Sequence, residues 1–211
     1  MAFAWSCVMS ATLLIIRMLV GGSYRYAFLL WNLALAWLPI LFIWYLLHLL
    51  QTYRWTHWKP LIITLLWLGF LPNSFYIASD LVHLRATGEV SLLYDAAMFC
   101  LFIFNGFALG FTSLLLLHGE LLRRIKQNAH YVIGVILLLC SFAIYLGRFL
   151  RWNTWDILFN PFGLLFDVSD RLINPAAHEQ TFATTAVFFV LLGTTYAVIW
   201  QTVAFLRSEK R

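Results

Sequence analysis

Long apolar runs separated by short polar stretches organise the whole chain. Six of them, at residues 3–20, 26–50, 61–84, 90–117, 131–150 and 181–206, meet the requirement of about 20 residues for a helix that crosses the hydrocarbon core. The first has no Lys or Arg ahead of its apolar stretch. It therefore reads as a span rather than a signal peptide, although Gly21-Gly22-Ser23 would suit a cleavage site. No repeat is visible, and no loop is long enough for a soluble domain. The pattern predicts an all-α, polytopic membrane helix bundle, a single integral membrane domain over 1–211.

Composition excludes the alternatives. Of 211 residues, 63% are apolar and only 11% are charged, where soluble domains run nearer half and a quarter. A globule of this size cannot hide that much apolar surface, and a disordered chain would not carry it. The net charge of +5 implies no nucleic acid, because the cations sit in short loops where the positive-inside rule accounts for them. Six spans put both termini on one side. That side receives Arg54, Lys59, Arg123, Arg124, Lys126, Arg207, Lys210 and Arg211; the other receives Arg17, Arg25, Arg85, Arg148, Arg151 and Arg171 with seven of the nine acids. The termini are therefore expected in the cytoplasm. Trp55 and Trp58 beside Lys59 read as an interfacial anchor on that face. Cys7, Cys100 and Cys140 lie apart in apolar runs and read as packing residues.

The third span carries the first candidate chemistry. After 61–71, about 16 Å of helix, Pro72 removes the donor for the Leu68 carbonyl. A break is expected at Pro72 and Asn73. If helix resumes, Asn73, Tyr76, Asp80 and His83 fall within an arc of about 80°. That makes one polar stripe, which should face the bundle interior. Asp80 and His83, one turn apart, could share a proton or a metal ion, or could simply be interfacial residues at the span end. In the fourth span Asp95 lies about a turn inside the outer end and needs a cation, metal or proton. Asn105 reads as a hydrogen-bonding residue. Gly106 and Gly110 form G-x-x-x-G, a packing face that could also bring two copies together.

The fifth span ends in G-R-F-L-R-W-N-T-W-D, residues 147–156. Arg148 and Arg151 share a face with Trp152 and Trp155, as a clamp for phosphate or carboxylate or as headgroup anchors. Asn153 and Asp156 fit a substrate site or a helix start. Between Asn160-Pro161 and Asn174-Pro175, Phe162, Leu165, Phe166, Leu172 and Ile173 oppose Asp167, Asp170 and Arg171. This predicts an amphipathic helix in the outer interface.

Two strings occur together: L-P-N-S-F-Y-I-A-S-D-L-V-H-L and G-R-F-L-R-W-N-T-W-D. In both, the chain resembles the bacterial membrane-protein family known as domain of unknown function thirteen sixty-one, over most of its length. The resemblance implies a bacterial inner-membrane protein and singles out Pro72, Asn73, Tyr76, Asp80, His83, Arg148, Arg151, Trp152, Asn153 and Asp156. It implies no activity.

Three functions stay open. In a membrane-embedded enzyme, Asp80, His83 and Asp95 would be catalytic, as an acid/base pair or as holders of a divalent metal. Their oxygen and nitrogen donors suit Zn or Mn over Cu. Asn73, Tyr76, Arg148, Arg151, Trp152, Asn153 and Asp156 would bind an anionic, lipid-linked substrate. The alternatives are a small transporter or lipid-handling carrier and a non-catalytic scaffold. No G-x-S-x-G or H-E-x-x-H motif is present. His48, His57, His118 and His130, at span ends or in loops, do not suggest haem ligands.

Overall fold

The computed structural model describes residues 2–209; Lys210 and Arg211, two of the cations counted above, lie outside the described residues. Every regular element among the described residues is helical. They are α1 (Ala2–Gly21), α2 (Phe28–Leu49), α3 (Trp58–Tyr76), a 3-10 segment (Ile77–His83), α4 (Leu92–Ile125), α5 (Asn128–Phe149), α6 (Asp156–Phe159), α7 (Pro161–Ile173), a 3-10 turn (Pro175–His178) and α8 (Glu179–Ser208). Six helices are long and apolar enough to cross a membrane. Helix is what hydrocarbon demands, because each backbone donor and acceptor must be satisfied within its own segment. The chain is a multi-pass membrane protein built as a helix bundle.

Two compact units divide within α4: Met1–Leu116 and Leu117–Arg211. In the first, α2 lies along α3. The apolar centre is built from Leu14, Tyr26, Leu29, Leu33, Ile77, Phe99 and Phe102, with further side chains packed around them. Here α4 approaches α3 closely. A Cβ on Gly106 would stand 2.4 Å from the Ser74 carbonyl oxygen, and one on Gly110 would stand 2.8 Å from Ser74 Cβ and Phe75 Cε1. The G-x-x-x-G face is thus filled by α3 of the same chain. That corrects the expectation that it could join two copies: the missing side chains let two helices of one chain touch.

The expected break at Pro72 and Asn73 is also corrected. Helix α3 continues through Pro72 to Tyr76, and the change to 3-10 geometry begins at Ile77. Proline is tolerated in a membrane helix when neighbouring groups satisfy the freed carbonyls. Asn73 Nδ2 donates to the Phe70 carbonyl at 3.1 Å, a different carbonyl from that of Leu68, which Pro72 leaves without its helical donor. The following seven residues form one 3-10 run, longer than the three or four usual for that helix.

In the second unit α5 packs on α8. Helix α7 starts at Asn160, whose side chain accepts from the Gly163 N–H at 3.2 Å, with Pro161 in the first turn. Its apolar face is bare: Phe162 is 83% and Ile173 74% exposed. Its polar face is tied down. Trp152 Nε1 donates to Asp167 Oδ2 at 2.8 Å, and Arg171 pairs with Asp167. Asp170 accepts from Asn174 at 2.8 Å and meets His178 at 2.7 Å. Those two hydrogen bonds, Asn174 first, hold the Asp170 carboxyl below its ordinary value. Its contribution to holding the turn is therefore present at neutral pH and is lost as pH falls through that lowered value. Anchored on its polar face with its apolar face uncovered, α7 is an amphipathic helix, as its sequence pattern predicts. Trp152→Phe is expected to cost about 1 kcal/mol, one hydrogen bond to a part-exposed carboxylate. It should speed hydrogen exchange in α7 while leaving α5 and α8 unchanged.

Candidate functional site

A cluster of charged side chains in the first unit joins the end of α1 to the start of α4. Arg17, four residues before the end of α1, is fully buried. A guanidinium there has to be neutralised by neighbours. Its Nε donates to Asp95 Oδ1 at 3.2 Å, from the first turn of α4. Its Nη2 lies 2.8 Å from Glu89 Oε2 in the preceding loop, close but not aligned as a hydrogen bond. The guanidinium carbon stands 4.7 Å over the Tyr26 ring. Arg25 reaches the other Glu89 oxygen at 3.5 Å from a half-exposed position. Two cations thus face two carboxylates, and the group is neutral. Its hydrogen bonding is incomplete: Arg17 Nη1 and Asp95 Oδ2 are buried and make no hydrogen bond.

Tyr26 links this group to the end of the third span. Its hydroxyl donates to the His83 carbonyl at 3.4 Å, and its ring meets Phe99 edge-on at 5.0 Å. The His83 ring is exposed and lies edge-on to Phe28 at 5.2 Å. Asp80, 1% exposed, accepts from Asn32 Nδ2 at 2.7 Å. Because residues i and i+3 eclipse in 3-10 geometry, Ile77, Asp80 and His83 lie in line. The stripe expected on α-helical spacing is redrawn accordingly: Asn73 and Tyr76 belong to α3, Asp80 and His83 to the 3-10 run.

Deeper in the same unit Asn105 Nδ2 donates to the Ser6 carbonyl at 3.2 Å and to Ser10 Oγ at 3.1 Å. Ser74 Oγ donates to the Ala36 carbonyl, and Trp67 Nε1 donates to Ser113 Oγ at 2.7 Å. On α4 alone, Asp95, Asn105 and Ser113 are all buried. They are spread over 18 residues, about 27 Å of helix.

Arg148, Arg151, Trp152, Asn153 and Asp156 belong to the second unit, around the end of α5. Arg151 adopts φ +61°, and the Leu150 and Trp152 N–H groups both donate to the Leu146 carbonyl. This arginine occupies the left-handed turn that commonly ends a helix. Asp156 accepts from the Asn153 backbone N–H at 2.7 Å, one half of a capping box. Trp152 holds α7, as described above. Arg151 is exposed at this chain reversal.

Several participants were not among the expected site residues. Arg17 was visible as a lone cation inside an apolar span, and Asn32 as a lone amide in the second. Glu89 gave no signal beyond its loop position. In the second unit, His118 and His130, set aside as span-end residues, meet edge-to-face at 4.7 Å. His118 Nδ1 lies 2.8 Å from the Tyr196 hydroxyl, and its ring stacks on Trp200 at 4.0 Å. Among the described residues, no three His, Cys, Asp or Glu side chains form a group that could hold a metal ion.

No curated protein and no solved structure significantly matches the chain. The model of a family described as "Protein of unknown function (DUF1361)" matches residues 31–195. This covers most of the chain, from α2 into α8, including the 3-10 run and the turn after α5, and the chain belongs to that family.

Proposed function

We propose that the protein is a small proton-coupled carrier working through its first unit. The observation that carries this reading is the ladder of buried polar side chains there. A neutral Arg17–Asp95–Glu89 group stands at one end, Asn105 with Ser10 at mid-depth, and Ser113 with Trp67 beyond. Ionisable groups buried in a membrane are costly and mark ion and proton pathways. The incomplete hydrogen bonding of Arg17 and Asp95 supports a group that can rearrange. So does the unusually long 3-10 run beside it, a geometry found at hinges. Protonating Asp95 would remove the negative charge that balances Arg17 and loosen that end of the ladder. The test is proton entry into dye-loaded liposomes under a valinomycin-imposed potential. Entry several-fold faster than in protein-free vesicles, and lost in Asp95→Asn, is expected. Equal rates with and without protein would refute the reading.

The same reading puts the protein in a bacterial inner membrane with both termini cytoplasmic. Eight cations against six support that orientation, and three of the six on the outer side, Arg17, Arg25 and Arg171, are neutralised by neighbouring acids. Thiol labelling of Thr87→Cys from outside intact cells checks it. One observation favours the enzyme reading, in which an anionic, lipid-linked substrate is handled by acid/base chemistry: Asp80 and His83 stand in line on the 3-10 run. Asp80→Ala protein that fails to accumulate in the membrane would assign that pair to structure instead.

A further inference from the structure

In the second unit, the end of α8 forms a groove with the end of α4. Its volume is about 380 Å³, and it is lined by Leu122, Trp200, Val203, Ala204, Arg207 and Ser208. That size falls in the roughly 300–1,000 Å³ range of small-molecule sites. The five α8 residues have spacings i, i+3, i+4, i+7 and i+8, a single helix face about 12 Å long. Along it the chemistry changes in one direction, from an aromatic ring through two aliphatic side chains to a guanidinium and a hydroxyl.

The apolar end is rigid. Trp200 is stacked on His118 at 4.0 Å with 29° between the ring planes, and His118 is held by Tyr196. Its wall therefore stands ready before anything binds, which lowers the cost of ordering a ligand. At the polar end Ser208 donates its hydroxyl to the Phe205 carbonyl, and Arg207 is the one cation of the lining among the described residues. The nearest acid in sequence, Glu209, makes no ion pair with it among the described residues. An apolar trough ending in a guanidinium at the end of a membrane span matches one class of molecule: an acyl chain joined to an anionic phosphate.

We propose that this groove holds one acyl chain of an anionic phospholipid, with the phosphate on Arg207. The full-length protein in nanodiscs gives the test, using lipids brominated in the acyl chain as quenchers of tryptophan. Subtracting the signal of Trp200→Phe isolates the Trp200 contribution. Phosphatidylglycerol should half-quench it at about one-fifth the concentration that phosphatidylcholine needs, the factor that one Arg near an anionic lipid is worth. Arg207→Gln should erase that preference with helicity unchanged. Native mass spectrometry of wild type and Arg207→Gln gives a second readout that does not depend on Trp200→Phe: the variant should retain fewer phosphatidylglycerol molecules. Equal quenching by the two lipids, or equal lipid retention by the two proteins, would overturn the proposal.

Discussion

Gly106→Ala is expected to destabilise the protein by about 2 kcal/mol. The added methyl would sit 2.4 Å from the Ser74 carbonyl oxygen and 3.0 Å from Ile77 Cδ1. The first neighbour is backbone of a packed helix and cannot swing away, so α3 and α4 must move apart. Forcing a methyl group into a filled interface typically costs about 1–3 kcal/mol. The present contact belongs at the upper end, and the better helix propensity of Ala returns up to about 1 kcal/mol. Gly110→Ala should cost less, because its nearest neighbours, the Phe75 ring and Ser74 Cβ, stand farther off at 2.8 Å. Gly119→Ala, Gly134→Ala and Gly193→Ala meet nothing within 4 Å and should be neutral or slightly stabilising. Thermal unfolding in detergent should rank the variants in that order. A Gly106→Ala protein as stable as Gly134→Ala would mean that the helices do not touch there.

The chain's elements could be read in advance because apolar run length is a one-dimensional property. Twenty residues without charges can span a bilayer whatever surrounds them, and the amphipathic pattern of 162–173 needs only the helix period. The effect of Pro72 was not readable that way. Whether a proline breaks a membrane helix depends on which neighbours take over the freed carbonyl groups. The sequence showed that the Leu68 carbonyl loses its donor, yet α3 runs on through Pro72 to Tyr76. The polar stripe shifted for a related reason: the same residues spaced for 3.6 per turn lie differently at 3.0. Partners were the least readable part. Asp95 required a cation, but nothing along the chain chose Arg17, 78 positions earlier, over Arg148 or Arg151. Likewise Gly106 and Gly110 indicated close approach without indicating which helix would come.

Removing Arg17 alone should do more damage than removing it together with its partner. Arg17→Met leaves the Asp95 carboxylate buried beside an apolar side chain, a situation that typically costs about 3–5 kcal/mol. Asp95→Asn should cost less. The amide oxygen can still accept from Arg17 Nε, and Glu89 remains 2.8 Å from Nη2 to balance the charge. The double variant Arg17→Met with Asp95→Leu removes both charges, and Glu89 then keeps Arg25 as its partner at 3.5 Å. Replacing a buried ion pair by apolar groups of similar size is often neutral or stabilising. The double variant should therefore unfold near the wild-type midpoint, although each single variant unfolds earlier. Its behaviour in liposomes separates two roles for the group. If the charges are part of a proton pathway, the double variant is stable and inert. If they only fasten α1 to α4, methionine and leucine fasten them as well and proton entry persists. A stable double variant with undiminished flux would count against the carrier reading as proposed, because the remaining rungs, Asn105 with Ser10 and Ser113 with Trp67, carry no ionisable group.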